Sequence, residues 1–116
     1  MSNTLKNKTL YVFHENSGSQ GVLTLSDSTK GTYKVGPSNS NVTWSEFWVG
    51  NKCALWVVIN NQIEDNIIRI WGFELNMNGD LIMGTGMSAF GNATPQDLSN
   101  TTYISDDLTI GSSPRS

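Results

Sequence analysis

The chain is short of charge, cysteine and histidine and has no long apolar run, and each shortage removes a class of function. Only 15% of its 116 residues are charged, and the formal net charge is -3. The seven cations, Lys6, Lys8, Lys30, Lys34, Lys52, Arg69 and Arg115, are scattered and form no basic stripe. Nucleic-acid binding needs such a stripe to release counterions, so it is set aside. No run approaches the roughly 20 apolar residues of a helical membrane span. A lone Cys53 excludes an internal disulfide framework. It stands between Lys52 and an apolar run, which predicts a buried small hydrophobe more than a reactive thiol. One histidine and one cysteine do not make an ordinary zinc site without several carboxylates. His14 is the only histidine, and no nucleophile elbow accompanies it. It is therefore expected to be a half-exposed histidine at a strand end, and the chain is expected not to be an enzyme. Residues 1–8 are polar and show no apolar core of a signal peptide. The expected location is cytoplasmic, or secreted without a visible signal peptide.

What the chain does have is aromatic bulk and small polar residues. Four Trp, four Phe and three Tyr can close a small core, because each buries a large area. Asn, Ser, Thr and Gly dress the rest, and they suit strands and turns better than helices. Residues 9–14 (TLYVFH), 22–25 and 32–35 read as strands, broken by polar and glycine-rich clusters. Gly36 and Pro37 close the third run, and residues 38–41 read as a polar loop. Two denser apolar runs follow, 44–49 and 54–59, separated by Gly50-Asn51-Lys52. A polar loop is expected over 60–66. Phe73, Leu75 and Met77 alternate with Glu74, Asn76 and Asn78, the period of a half-buried strand. Asn78-Gly79 predicts a type I′ hairpin, with residues 81–87 returning. Residues 89–100 look irregular, and 101–110 hold one or two final strands. About eight short strands and no sustained helical period predict an all-β domain over residues 1–110, sandwich or small barrel. Residues 111–116 are expected to form a flexible tail.

Several local patterns invite chemistry. Gly84-Thr85-Gly86 resembles a phosphate-binding glycine pair, but it lacks a third glycine and a following helix. A bulge or a close backbone approach explains it better. The stretch from Asn76 to Asp80 has the start of a calcium loop without its closing glutamate. The acid pairs Glu64-Asp65 and Asp106-Asp107 would point to opposite faces of a strand, and in a loop could offer oxygens to Ca²⁺. Trp44 and Trp48 share one strand face. With Trp71 they form a candidate carbohydrate-stacking set, against core packing as the plainer reading. Phe47 and Val49 on the opposite face of that strand are also apolar, which suggests either a central strand or an interface, hence a homodimer.

Two segments resemble the βγ-crystallin pattern. Leu10-Tyr11 through Gly21 is similar to that family's folded hairpin, and Asn41-Val42-Thr43-Trp44-Ser45-Glu46 to its later ligand stretch. A second unit would start at Leu55-Trp56. The order from Trp44 to Asp65 is also similar to the crystallin-like half of slime-mould calcium-dependent cell-adhesion proteins. Ser19 stands where an aromatic is expected, and Val42 and Glu46 replace two polar positions. The resemblance implies a Greek-key β-sandwich that binds Ca²⁺ and does not catalyse. Ser45, with Thr43 in the same stretch, would supply ligands, and Glu15 or Glu64 would complete the site. The leading functional expectation is thus a non-catalytic module of calcium-linked cell adhesion or stress-related assembly, with a protein or glycan partner. The alternatives are a lectin-like module, a protease inhibitor, and a small lipocalin-like β-barrel with a ligand inside.

Overall fold

The computed structural model describes residues 5–27, 29–59, 67–92 and 102–115. Eight strands follow one another: β1 (Thr9–His14), β2 (Ser19–Leu25), β3 (Lys30–Val35), β4 (Ser38–Val49), β5 (Lys52–Ile59), β6 (Ile67–Asn78), β7 (Leu81–Asn92) and β8 (Thr102–Gly111). Each pairs antiparallel with the next, and β8 returns to β1, closing the barrel. Every connection therefore joins neighbours. The Greek-key order expected from the crystallin resemblance is absent, and the alternative expectation of a small β-barrel fits. The stretch from Asn41 to Glu46 that resembled the ligand stretch is the middle of a continuous strand, paired with β3 up to Thr43 and with β5 from Val42 on.

Period-2 alternation decides what faces inward. Leu10 and Val12, Leu23 and Leu25, Val42 and Trp44, Leu55 and Val57, Phe73 and Leu75, and Leu108 and Ile110 all point into the core. Cys53 belongs to that row and is buried, as its apolar neighbours predicted. Burial pushes its thiol up to about 11, which removes the thiolate that reactivity requires. The glycine pair of β7 is a site of close approach. A side chain at Gly84 would overlap the Glu74 carbonyl, and one at Gly86 the Phe73 ring.

Tight turns set the register. Gly36, Gly50 and Gly79 each occupy the first of two turn residues, with φ of 55°, 63° and 64°. Glycine there with positive φ marks a type II′ hairpin. The hairpin foreseen at Asn78-Gly79 exists, but Asn78 is its last strand residue and the turn is Gly79-Asp80. Residues 38–41 are strand and not loop, since Val35 pairs with Ser38 directly across the Gly36-Pro37 turn. Residues 89–92, expected to be irregular, continue β7, and the expectation for 60–66 lies outside the described residues.

The two ends of the barrel differ. At one end, the segment before β1 folds under the barrel and puts Leu5 fully into the core. Asn7 N–H donates to Leu25 O at 2.7 Å, and Leu25 N–H to Lys8 O at 3.0 Å. The Glu46 carboxylate, facing inward on β4, accepts from Leu5 N–H at 3.0 Å and from the Trp48 indole. This end is plugged. The β1–β2 turn and the Gly36-Pro37 turn lie at the other end, together with the C-terminal ends of β5 and β7 and the N-terminal ends of β6 and β8.

The expected flexible tail is tied down through residue 115. Ser112 exchanges hydrogen bonds with Ile82, donating N–H to its carbonyl at 2.9 Å and accepting its N–H at 3.0 Å. Arg115 then grips Glu15 through both guanidinium nitrogens, at 2.9 and 2.7 Å, and stacks over Phe13 at 4.1 Å. That cover explains how Phe13 is buried although it points out of the barrel.

Candidate functional site

The interior changes character toward the β1–β2 turn end. The last inward residue of β1 is His14, not a further aliphatic. Its Nε2 lies 2.6 Å from the Tyr33 hydroxyl. Tyr33 and His14 both meet Trp71 edge-on, with ring centroids 4.7 and 5.8 Å away, and Trp71 meets Phe73 in the same manner at 6.0 Å. Three strands thus bring three aromatic groups into one cluster: β1 supplies His14, β3 Tyr33 and β6 Trp71. Edge-to-face geometry sets the positive edge of one ring against the negative face of another, which fixes their mutual orientation.

The cluster's neighbours are apolar on one side, with Leu23 opposite Tyr33, Val57 opposite Trp71 and Leu108 opposite His14, and small and polar on the other. Ser40 lies directly opposite Tyr33 on β4, and Ser88 directly opposite Trp71 on β7, so both share the inward face. Each is partly exposed. Gly21 has no side chain where one would overlap the Tyr33 ring and hydroxyl, so the glycine makes the room Tyr33 occupies. The arrangement joins buried aromatic rings to hydroxyl and imidazole groups that give and accept hydrogen bonds.

The residues nominated from sequence are distributed otherwise. Thr43 and Ser45 point outward on β4, where they pair with Val58 and Trp56. Glu15 sits in the β1–β2 turn, three strands round the wall, or about 14 Å at the usual inter-strand spacing. Calcium ligands lie near 2.4 Å from the ion, so these three do not share a site. Glu15 is already engaged by Arg115 and the Thr109 hydroxyl. Those two donors, Arg115 first, hold its carboxyl down to about 2. Glu64 lies outside the described residues. Among the described residues no group of three His, Cys, Asp or Glu side chains could hold a metal ion.

Of the tryptophan set, Trp44 is 4% exposed and Trp71 1%, both inside the barrel. The face that Trp44 and Trp48 share is the inner one. The Trp44 indole donates to the Lys30 carbonyl at 2.9 Å, and the partly buried Trp48 packs against the core. No surface stacking platform forms from them. The exposed tryptophan is Trp56, which sequence reasoning passed over. His14 was placed correctly at a strand end, but its alliance with Tyr33 and Trp71 was missed. The signal was available in parity, since His14 falls in step with Leu10 and Val12 and must share their face.

Comparison with known protein families, curated proteins and solved structures finds no match for this chain.

Proposed function

We propose that the protein binds one small organic molecule at the β1–β2 turn end of its barrel, in the region of His14, Tyr33 and Trp71. The observation that carries the reading is the hydrogen-bonded His14–Tyr33 pair packed on Trp71 inside the barrel at that end only. An eight-stranded barrel has an interior just large enough for side chains or for one small ligand. A barrel serving only as a scaffold gains most from apolar filling. Directional polar groups beside aromatic rings are what small-molecule sites use to fix orientation. The chemistry suits a planar, partly apolar molecule with a hydrogen-bonding edge. Its polar edge would meet the partly exposed His14, Ser40 and Ser88.

The test is thermal unfolding of the protein with a panel of small planar heterocycles, indole and benzimidazole among them. A ligand at one hundred times its Kd adds about 2.7 kcal/mol and raises the midpoint visibly. The rise is expected in the wild type and expected to shrink in Tyr33→Phe and Ser88→Ala, which keep the barrel's shape. No rise with any member of the panel, or an equal rise in those variants, would overturn the reading.

A further inference from the structure

The outer wall of the barrel is divided. On β1 to β3 it carries Thr9, Gln20, Lys30 and Lys34 among its exposed positions. On β4 to β7 it carries every exposed large hydrophobic residue found among the described ones. Phe47 is 67% exposed, Trp56 55%, and Met83 58%, with Val49, Leu81 and Met87 beside them. The strand register makes Phe47, Trp56 and Met87 neighbours, while Lys52 and Asn76 lie between Val49 and Met83. Phe47 lies across from Ala54, Trp56 across from Gly72, and Gly72 across from Met87. A cluster of large apolar side chains exposed in this way marks an interaction face.

We infer that this face, β4 to β7, joins two copies of the chain in a two-fold dimer. Three features favour a second copy over another partner. The face is uneven: the half-exposed Trp56 ring lies over Gly72, beside a hollow of about 360 Å³ lined by Ala54, Glu74, Thr85 and Met87. A two-fold axis places the Trp56 ring of each copy in the hollow of the other, the requirement of an isologous interface. The face also carries one charge of each sign, Lys52 and Glu74, in adjacent rows. A two-fold pairing sets the Lys52 of one copy toward the Glu74 of the other, so neither copy repels its twin. Finally, a closed barrel has no free strand edge, so two copies cannot join by strand addition and can associate only face to face.

The experiment is sedimentation velocity on the full chain from about 1 to 100 μM, beside Trp56→Lys, Phe47→Glu and, as a control on the opposite wall, Lys34→Glu. Wild type and Lys34→Glu are expected at twice the chain mass of 12.7 kDa. Trp56→Lys and Phe47→Glu are expected to be monomers with unchanged far-ultraviolet circular dichroism. Should a variant fail to fold, peroxide oxidation of the wild type supplies the readout. Met83 and Met87 are expected to be protected several-fold at the high concentration relative to the low one. A wild type that stays monomeric throughout overturns the inference. So does a dimer that survives Trp56→Lys and Phe47→Glu, or equal oxidation at both concentrations. None of these outcomes bears on ligand binding at the β1–β2 turn end.

Discussion

Gly21 and Tyr33 behave as one unit, because the space a β-carbon would take at position 21 is filled by the phenol. The hydroxyl in turn fixes the His14 ring, and both rings hold Trp71. A single methyl group at position 21 should therefore disturb the candidate site from the neighbouring strand. Gly21→Ala is expected to lower stability by about 1–3 kcal/mol, the usual cost of overpacking. In a Tyr33→Ala background the same change should cost far less, since nothing is left to overlap. A double-mutant cycle by urea unfolding reads the difference as a coupling energy. Equal costs in both backgrounds would show that the glycine is required by its strand and not by the phenol. The pair was not legible in the sequence. Gly21 sat in a polar cluster read as a break, and only the register that sets β2 against β3 brings it under Tyr33.

At the scale of elements, strand number and position were legible wherever burial alternated. The run 9–14 is β1, and Phe73, Leu75 and Met77 face inward on β6. The start of β4 was not legible, for a physical reason. Ser38, Asn39, Ser40 and Asn41 lie at the β1–β2 turn end, where the inner face is polar and the outer face meets water, so neither parity shows an apolar residue. The C-terminal segment was misread for a related reason. Arg115 is held by an ion pair, a stacking contact and a backbone hydrogen bond to residues about a hundred positions away. That attachment has a defined response to acid. The folded-state pKa of Glu15, about 2, lies below its ordinary 4.5. Its contribution is thus complete above pH 4.5 and is lost as pH falls toward 2. Arg115 proton shifts, displaced by the Phe13 ring while the contact holds, are expected to stay constant from pH 7 to about 4. They should then move toward free-arginine values with a midpoint near 2, and Glu15→Gln should remove the transition. A midpoint at the ordinary carboxylate value would mean that the clasp does not form in solution.

For the whole molecule, the difference between the two ends determines what the barrel can do. An eight-stranded meander has no edge to protect and little interior to spare, so what fills each mouth matters. One mouth is filled by Leu5, held in place by backbone bonds to β2 and by the Glu46 carboxylate. The other is lined by His14, Tyr33, Ser40, Trp71 and Ser88. Composition hinted at a barrel or a sandwich without separating them, because closure depends on the pairing of β8 with β1, a long-range choice that no local pattern encodes. The same distance hid the plug, since Leu5 reads as an isolated apolar residue in a polar leader. Leu5→Ala is expected to cost about 2–5 kcal/mol, the range for emptying a core leucine site. If the plug and the mouth are separate devices, that loss should leave the β1–β2 turn end intact. At temperatures where the variant is still folded, the ring-current shifts of Trp71 and Tyr33 should match the wild type. A collapse of those shifts in the folded variant would instead mean that one continuous core holds both ends, and that ligand binding at the mouth draws on the packing of the plug.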